Sequence, residues 1–248
     1  MKPKIAFFDF TSCEGCQLTV VDSLQTNVGL LDMVEIVQFR EAMTEKGTDY
    51  QIAFVEGSCT RESDEDRLRA IREQADVVVA LGACAHLGGI NAIRNIYSID
   101  EVRDEVYGDK GEWYETYQPR PIDAVIAVDA VIPGCPIDRD EFIAVVTQVL
   151  QGREPRIPDH PVCIECKLNE TVCMYLRGEI CLGPISRAGC GAICPKYGFG
   201  CVGCRGMISN PNLESMEEVL EQYGRTLEEA RAKMSMFLTY QTLEEGES

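Results

Sequence analysis

The chain has 248 residues and is 45% hydrophobic, so it is long enough for one substantial core and a smaller module. Its formal net charge of −18 at pH 7 argues against a nucleic-acid partner, because nucleic-acid binding requires clustered Lys and Arg. No apolar run approaches the ~18 residues of a membrane span. No signal sequence precedes the first strand-like run, so we expect a cytoplasmic protein that uses its thirteen cysteines for metal ligation rather than for disulfides.

The first half of the chain alternates strand-like and helix-like segments. Strands are predicted over residues 4–10, 34–40, 51–55, 76–81 and 124–131, and helices over residues 17–24, 62–75 and 138–150. The apolar run 76–81 is typical of a parallel strand that is covered on both faces. Residues 97–121 are polar and aromatic, which indicates an insertion. The alternation predicts an α/β domain over residues 1–152, built on a flavodoxin-like, doubly wound parallel sheet.

Cysteines follow four of the predicted strands, at the point where each strand ends. They are Cys13, Cys16, Cys59, Cys84 and Cys135. The carboxyl ends of parallel strands share one edge of the sheet, and ligands bind at that edge. We therefore expect four thiolates there, enough for one iron–sulfur cluster, from Cys13, Cys16, Cys84 and Cys135.

Two other interpretations of this edge remain. Each cysteine alone could be a small buried hydrophobic residue, although four at one edge argue against this. The glycine-containing turn 82–89 could bind a phosphate, but its glycines do not follow a dinucleotide fingerprint, so flavin or NAD is not expected. Cys59 is the surplus thiol, for which we expect packing rather than ligation.

A proline-rich linker leads into a second predicted domain, residues 153–248, which is cysteine-rich. Its eight cysteines are Cys163, Cys166, Cys173, Cys181, Cys190, Cys194, Cys201 and Cys204. Structural zinc sites usually consist of regular CxxC pairs, whereas these spacings are uneven and include a CxxxC followed by Pro195. Two 4Fe–4S clusters in a small irregular ferredoxin-like module are therefore favoured over zinc. His160 is a weaker candidate ligand and more consistent with a loop histidine.

The residues after this module predict two helices, 215–223 and 226–240, followed by a disordered tail over residues 243–248. Residues 226–229 fit a capping box that begins the second helix.

Taken together, several short motifs resemble those of the small subunit of nickel–iron hydrogenases, particularly the cytoplasmic group. The motifs occupy residues 11–18, 56–58, 79–84, 133–136, 181–184, 187–190 and 201–206. The resemblance covers nearly the whole chain. It implies a subunit that relays electrons between a hydrogen-activating large subunit, which is a separate chain, and a partner that reduces a soluble carrier.

The resemblance also implies three 4Fe–4S clusters. The proximal one would be held by Cys13, Cys16, Cys84 and Cys135, the medial one by Cys190, Cys194, Cys201 and Cys204, and the distal one by Cys163, Cys166, Cys173 and Cys181. Cys163 stands at the position where periplasmic members have a histidine as the first distal ligand. Cys194 stands where their medial site has a proline and holds a three-iron cluster, so a four-iron cluster is implied here. Cys59 has no role in this pattern.

The partners implied are the large subunit and an iron–sulfur and/or flavin subunit that reduces NAD(P), coenzyme F420, ferredoxin or a heterodisulfide reductase. The alternative function is an iron–sulfur subunit of a quinone- or ferredoxin-linked oxidoreductase related to hydrogenases. A zinc-bearing scaffold is the third class.

Overall fold

The computed structural model describes residues 2–246, which fall into two compact units, Met1–Pro155 and Arg156–Ser248. The first unit contains a five-stranded sheet in which all strands are parallel, in the order β2-β1-β3-β4-β5. The strands are β1 (Lys4–Asp9), β2 (Glu35–Phe39), β3 (Ile52–Glu56), β4 (Val77–Leu81) and β5 (Ala130–Ile132). The strand order reverses beside β1, as in a doubly wound sheet. The predicted fold class is confirmed.

Helices follow the strands and cover the sheet. They are α1 (Gly15–Thr26), α2 (Gly29–Met33), α3 (Glu62–Gln74), α4 (Gly82–Leu87), α5 (Ile99–Tyr107) and α6 (Arg139–Leu150), with 3-10 turns at Gly89–Ile96, Gly108–Trp113 and Ile122–Ala124. The predicted insertion contains α5. This helix begins with a capping box in which the Ser98 hydroxyl accepts the Glu101 N–H at 3.2 Å.

Apolar residues fill both faces of the sheet. Phe7 stacks on Phe39 and Phe54, with ring centroids 4.3 and 4.9 Å apart, and Phe54 contacts Phe142 of α6. Because side chains alternate along a strand, Phe8 points to the opposite face, where it belongs to a cluster with Leu68 and Ile71 of α3. Burial on both faces explains why the central strands are continuous apolar runs.

The fifth strand is much shorter than predicted. The sequence predicts a strand over residues 124–131, but the structure has one only at Ala130–Ile132, preceded by a 3-10 turn at Ile122–Ala124. In that turn Val125 N–H and Ile126 N–H both donate to the Ile122 carbonyl. Ile122 and Ile126 are buried in the core beside α3, so their hydrophobicity reflects a buried turn rather than an extended strand.

The second unit is largely irregular around its cysteines. Its helices are α7 (Val162–Leu168), α8 (Ile193–Lys196), α9 (Leu213–Gln222), α10 (Leu227–Met234) and α11 (Thr239–Gly246), with a 3-10 turn at Met174–Arg177. Among the helices of residues 2–246, none combines the length and the hydropathy required to cross a membrane.

Two predictions about the carboxyl-terminal region are wrong. The capping box at Thr226 and Glu229 is present, but the helix that it begins ends at Met234 instead of continuing to residue 240. The chain turns there and buries Phe237 and Leu238, which are 6% and 0% exposed. The tail predicted to be disordered is helical as far as Gly246, and residues 247–248 lie outside the described part of the chain.

Candidate metal centres

Four thiols, hereafter the sheet-edge thiols, meet at the carboxyl edge of the sheet. Cys13 lies in the loop after β1, Cys16 in the first turn of α1, Cys84 in α4 and Cys135 after β5. Burial and, to a smaller extent, the neighbouring Cys135 and Cys13 together raise the pKa of Cys84 to about 12. Burial likewise raises the pKa of Cys16, which Glu56, Cys135 and Cys84 also raise. These four thiols thus lie within electrostatic range of one another at this edge.

The backbone around these thiols leaves room at their sulfur atoms because glycines stand there. Gly82 has a φ of +83°, and a Cβ added to it would lie 2.3 Å from Cys16 Sγ. Gly89 has a φ of +58°, and a Cβ there would lie 2.8 Å from Cys84 Sγ. Both contacts are far shorter than any Cβ tolerates, so only glycine fits. Thiols approached closely by bare backbone are the type of donor that an iron–sulfur cluster uses.

Glu56 anchors the loop that carries Cys13 and Cys16. It is the last residue of β3, only 2% exposed, and its carboxylate oxygens accept Cys16 N–H at 3.1 Å and Gln17 N–H at 2.9 Å. Burial raises its pKa, although these hydrogen bonds act in the opposite direction. Sequence reasoning noted Glu56 only as part of a motif and missed this role. A charged residue at the end of a fully apolar strand is the signal that could have found it.

One group of thiols in the second unit surrounds α7. Cys163 and Cys166 lie one turn apart on α7, Cys173 precedes the 3-10 turn, and Cys181 is buried. Burial and, to a smaller extent, Cys181, Cys166 and Cys173 together raise the pKa of Cys163 to about 12. A Cβ at Gly183 would lie 3.3 Å from Cys181 Sγ and 3.4 Å from Cys163 Sγ, so these two sulfur atoms flank one glycine.

The remaining four cysteines of this unit form two pairs. Burial raises the pKa of Cys194, and Cys190 and Cys181 raise it further. The pKa of Cys201 is also raised by burial, and Cys181 and Cys204 contribute to the increase. Cys201 N–H donates to Cys181 Sγ at 3.2 Å. Cys181 therefore connects the pair 190/194 and the pair 201/204 to the thiols around α7.

The thiols of each group lie near one another, but within residues 2–246 no three or more His, Cys, Asp and Glu side chains are grouped closely enough to hold a single metal ion. His160 lies in the loop before α7, where its carbonyl accepts the Ala188 N–H at 2.9 Å.

Cys59 occupies a different environment from the sheet-edge thiols. It is 0% exposed, and its sulfur lies 2.9 Å from the Tyr117 hydroxyl. That hydroxyl also donates to Glu65 at 3.0 Å and accepts from Arg120 at 3.0 Å. The surroundings of Cys59 are thus a polar network that joins α3 to the end of the insertion.

We expect Cys59→Ala to retain the full iron content of the wild-type protein and to cost about 1 kcal/mol of stability, because it removes one buried hydrogen bond. Cys84→Ala is the matched comparison and should lose about four iron atoms per chain. Iron analysis of the two anaerobically purified variants checks this. An equal loss of iron in both would show that Cys59 is a ligand.

The chain is therefore a cysteine-rich α/β protein, with four thiols at the carboxyl edge of a parallel sheet and eight more in the following unit. The model of a family described as NADH ubiquinone oxidoreductase, 20 Kd subunit, matches residues 13–149. The chain belongs to this family, in which it is a hydrogenase subunit of the nickel–iron small-subunit type.

Three relatives illustrate the similarity. Sulfhydrogenase 2 subunit delta of Pyrococcus furiosus is 37% identical over 221 residues, which cover 88% of this chain and 92% of that protein. The iron-sulfur subunit of an F420-non-reducing hydrogenase from Archaeoglobus profundus is 28% identical, and the match covers 84% of this chain and 83% of that protein. A chain in a crystal structure of an NAD+-reducing NiFe-hydrogenase in the H2-reduced state is 28% identical with a TM-score of 0.57. The match covers 64% of this chain and 96% of that one.

Proposed function

We propose that this subunit relays electrons between the hydrogen-activating site of a nickel–iron large subunit and an electron-accepting partner, through three 4Fe–4S clusters. The observation that carries the proposal is the convergence of Cys13, Cys16, Cys84 and Cys135 on one edge of the sheet from segments far apart in sequence. The eight further cysteines of the second unit supply the donors for two more clusters.

The residues proposed as ligands fall into three sets. The proximal set is Cys13, Cys16, Cys84 and Cys135, the medial set is Cys190, Cys194, Cys201 and Cys204, and the distal set is Cys163, Cys166, Cys173 and Cys181. Contacts around α7 support the distal set. Because Cys181 also contacts both other pairs, the division between the medial and distal sets rests on the order of the cysteines along the chain. When bound, such clusters accept and donate single electrons.

This chain would position and tune those groups. Glu56, the last residue of β3, accepts the backbone N–H groups of Cys16 and Gln17. These hydrogen bonds hold the first CxxC loop against the sheet. The Cys201 N–H donates to Cys181 Sγ, and hydrogen bonds to ligand sulfur atoms are one of the means by which a protein sets a cluster potential. Burial of Cys181 and Cys201 keeps water from their sulfur atoms.

Two partners follow from this function. Cys13 and Cys135 are exposed, so the sheet edge is open to a large subunit. After twelve cysteines are assigned to three clusters and Cys59 is set aside, no CxxC pair remains for a nickel site in this chain. The second partner would be an iron–sulfur and/or flavin subunit that reduces NAD(P), F420, ferredoxin or a heterodisulfide reductase, in the cytoplasm. Relatives named as subunits of an NAD-reducing hydrogenase and of a coenzyme F420 hydrogenase support NAD(P) and F420 as acceptors. Relatives named as F420-non-reducing hydrogenase subunits favour the other acceptors.

A second candidate is an electron-transfer subunit of a quinone- or ferredoxin-linked oxidoreductase, which the description of the family model favours. That model ends at residue 149 and so leaves out the eight-cysteine unit, whereas the Pyrococcus furiosus hydrogenase subunit aligns over 88% of the chain. The hydrogenase function is therefore the better supported of the two.

The test is to purify the subunit anaerobically together with its large subunit and to expose the complex to hydrogen. We expect hydrogen to bleach the visible absorbance and to produce electron paramagnetic resonance signals of reduced clusters. Cys84→Ala should retain about eight iron atoms per chain, yet its remaining clusters should be reduced at least ~10-fold more slowly. Equal rates in this variant and the wild type would contradict the proposed role of the sheet-edge thiols.

A further inference from the structure

Lys233 of α10 lies between two cysteine-bearing loops of the second unit. Its Nζ donates to the Ile180 carbonyl at 2.5 Å. Gly200 stands beside the same atom, since a Cβ added there would lie 2.8 Å from Lys233 Nζ. Ile180 immediately precedes Cys181, and Gly200 immediately precedes Cys201. The ammonium group is therefore one residue away from a cysteine of the distal set and from a cysteine of the medial set.

The positive charge of Lys233 lies close to the backbone that carries thiols of both sets. Lys233 is itself half-buried, and Cys181 is only 6% exposed. Charges that are withdrawn from solvent in this way are screened by salt much less than surface charges.

Other charges around these thiols act more locally or are already engaged. Lys167 of α7 directly follows Cys166, a thiol of the distal set. The Glu165 carboxylate lies 3.9 Å from Cys190 Sγ, and Glu165 directly precedes Cys166. It accepts the backbone N–H groups of Gly189 at 2.7 Å and Ala192 at 2.9 Å, which offset its negative charge. Lys233 thus supplies a positive charge shared by the two sets.

We propose that Lys233 is a tuning residue that raises the reduction potentials of both clusters of the second unit. One-electron reduction adds a negative charge to a cluster that four thiolates already make anionic. A fixed cation nearby stabilises the reduced form relative to the oxidised form, which raises the potential. No bond is made or broken, and the electron comes from the neighbouring centre. The inference rests on the proposed function, since it requires clusters at these cysteines.

The test is an anaerobic redox titration of the subunit in complex with its large subunit, monitored by electron paramagnetic resonance. Lys233→Met should shift the midpoint potentials of both second-unit clusters to lower values. Lys233→Arg retains the charge and should return them most of the way to the wild-type values. Arg231→Met is the matched control, because it removes one positive charge from an exposed position on the same helix and should leave both potentials unchanged.

Each other outcome has a distinct meaning. Unshifted potentials in a Lys233→Met protein with wild-type iron content would overturn the tuning role. Equal shifts in Lys233→Met and Lys233→Arg would also overturn it, because the cause would then be a lost contact rather than a lost charge. Loss of iron in both variants would assign Lys233 a structural role instead. Little iron in the wild-type protein would instead overturn the proposed function on which the inference rests.

Discussion

Gly82→Ala is expected to remove the sheet-edge cluster, lowering the iron content by about four atoms per chain while the second unit keeps its own. A Cβ at this position would lie 2.3 Å from Cys16 Sγ and 3.4 Å from the Gly134 carbonyl oxygen. Because Glu56 holds the backbone N–H groups of Cys16 and Gln17, the sulfur can avoid the clash only by rotating about the Cα–Cβ bond, away from its present position. The sheet-edge thiols should therefore lose the geometry in which four ligands face one cluster.

The matched control for this variant is Gly108→Ala. Gly108 also has a positive φ, +52°, but no atom lies within 4 Å of the position that its Cβ would take. This control carries the backbone strain of an alanine at positive φ without the clash, and its ψ of −135° makes that strain larger than in the left-handed helical region. It should retain the wild-type iron content. Wild-type iron content in Gly82→Ala, measured beside this control, would show that the sheet edge does not hold a cluster in the proposed way.

Gly200→Ala is expected to disrupt the second unit, with a loss of about eight iron atoms per chain. A Cβ at Gly200 would lie 1.9 Å from the Ile180 carbonyl oxygen and 2.9 Å from the carbonyl carbon. Both are backbone atoms, so a side-chain rotation cannot relieve the contact, and the loops before Cys181 and Cys201 must separate. Overpacking of this kind costs about 3 kcal/mol or more. The measurements are iron content and urea denaturation under anaerobic conditions.

Gly29→Ala is the control for this second variant. Gly29 has neither a φ in the left-handed range nor an atom within 4 Å of its Cβ position, so this substitution should change neither iron content nor stability noticeably. If Gly200→Ala binds iron and unfolds like the control, the two loops are not packed as closely as the structure has them. The result also bears on Lys233, whose ammonium group shares the space between the same loops.

The strands and the meeting of the sheet-edge thiols could be predicted from the sequence because both follow from general rules. Runs such as Val77–Leu81 are apolar throughout, as central parallel strands must be. Once the strands are parallel, residues that follow them share one edge, whatever their separation along the chain. The proximity of Cys16 and Cys135 could thus be predicted from the sheet topology alone.

Other features depend on contacts that no local pattern encodes. The hydrophobicity of Ile122 and Ile126 is equally compatible with a strand and with a buried turn, because periodicity does not distinguish the two. Glu56 bonds the backbone of Cys16, 40 residues away, and Lys233 bonds that of Ile180, 53 residues away. A charged residue acquires such a role only from the tertiary fold, so sequence periodicity could not predict it.

The measurement that tests the electron-relay function most directly is the content of iron and acid-labile sulfide per chain in the anaerobically purified protein, with its visible spectrum. Three 4Fe–4S clusters predict about twelve iron and twelve sulfide, with a broad brown absorbance. About eight of each would remove one of the three proposed sites. A colourless protein that contains zinc and little iron would contradict the electron-relay function altogether.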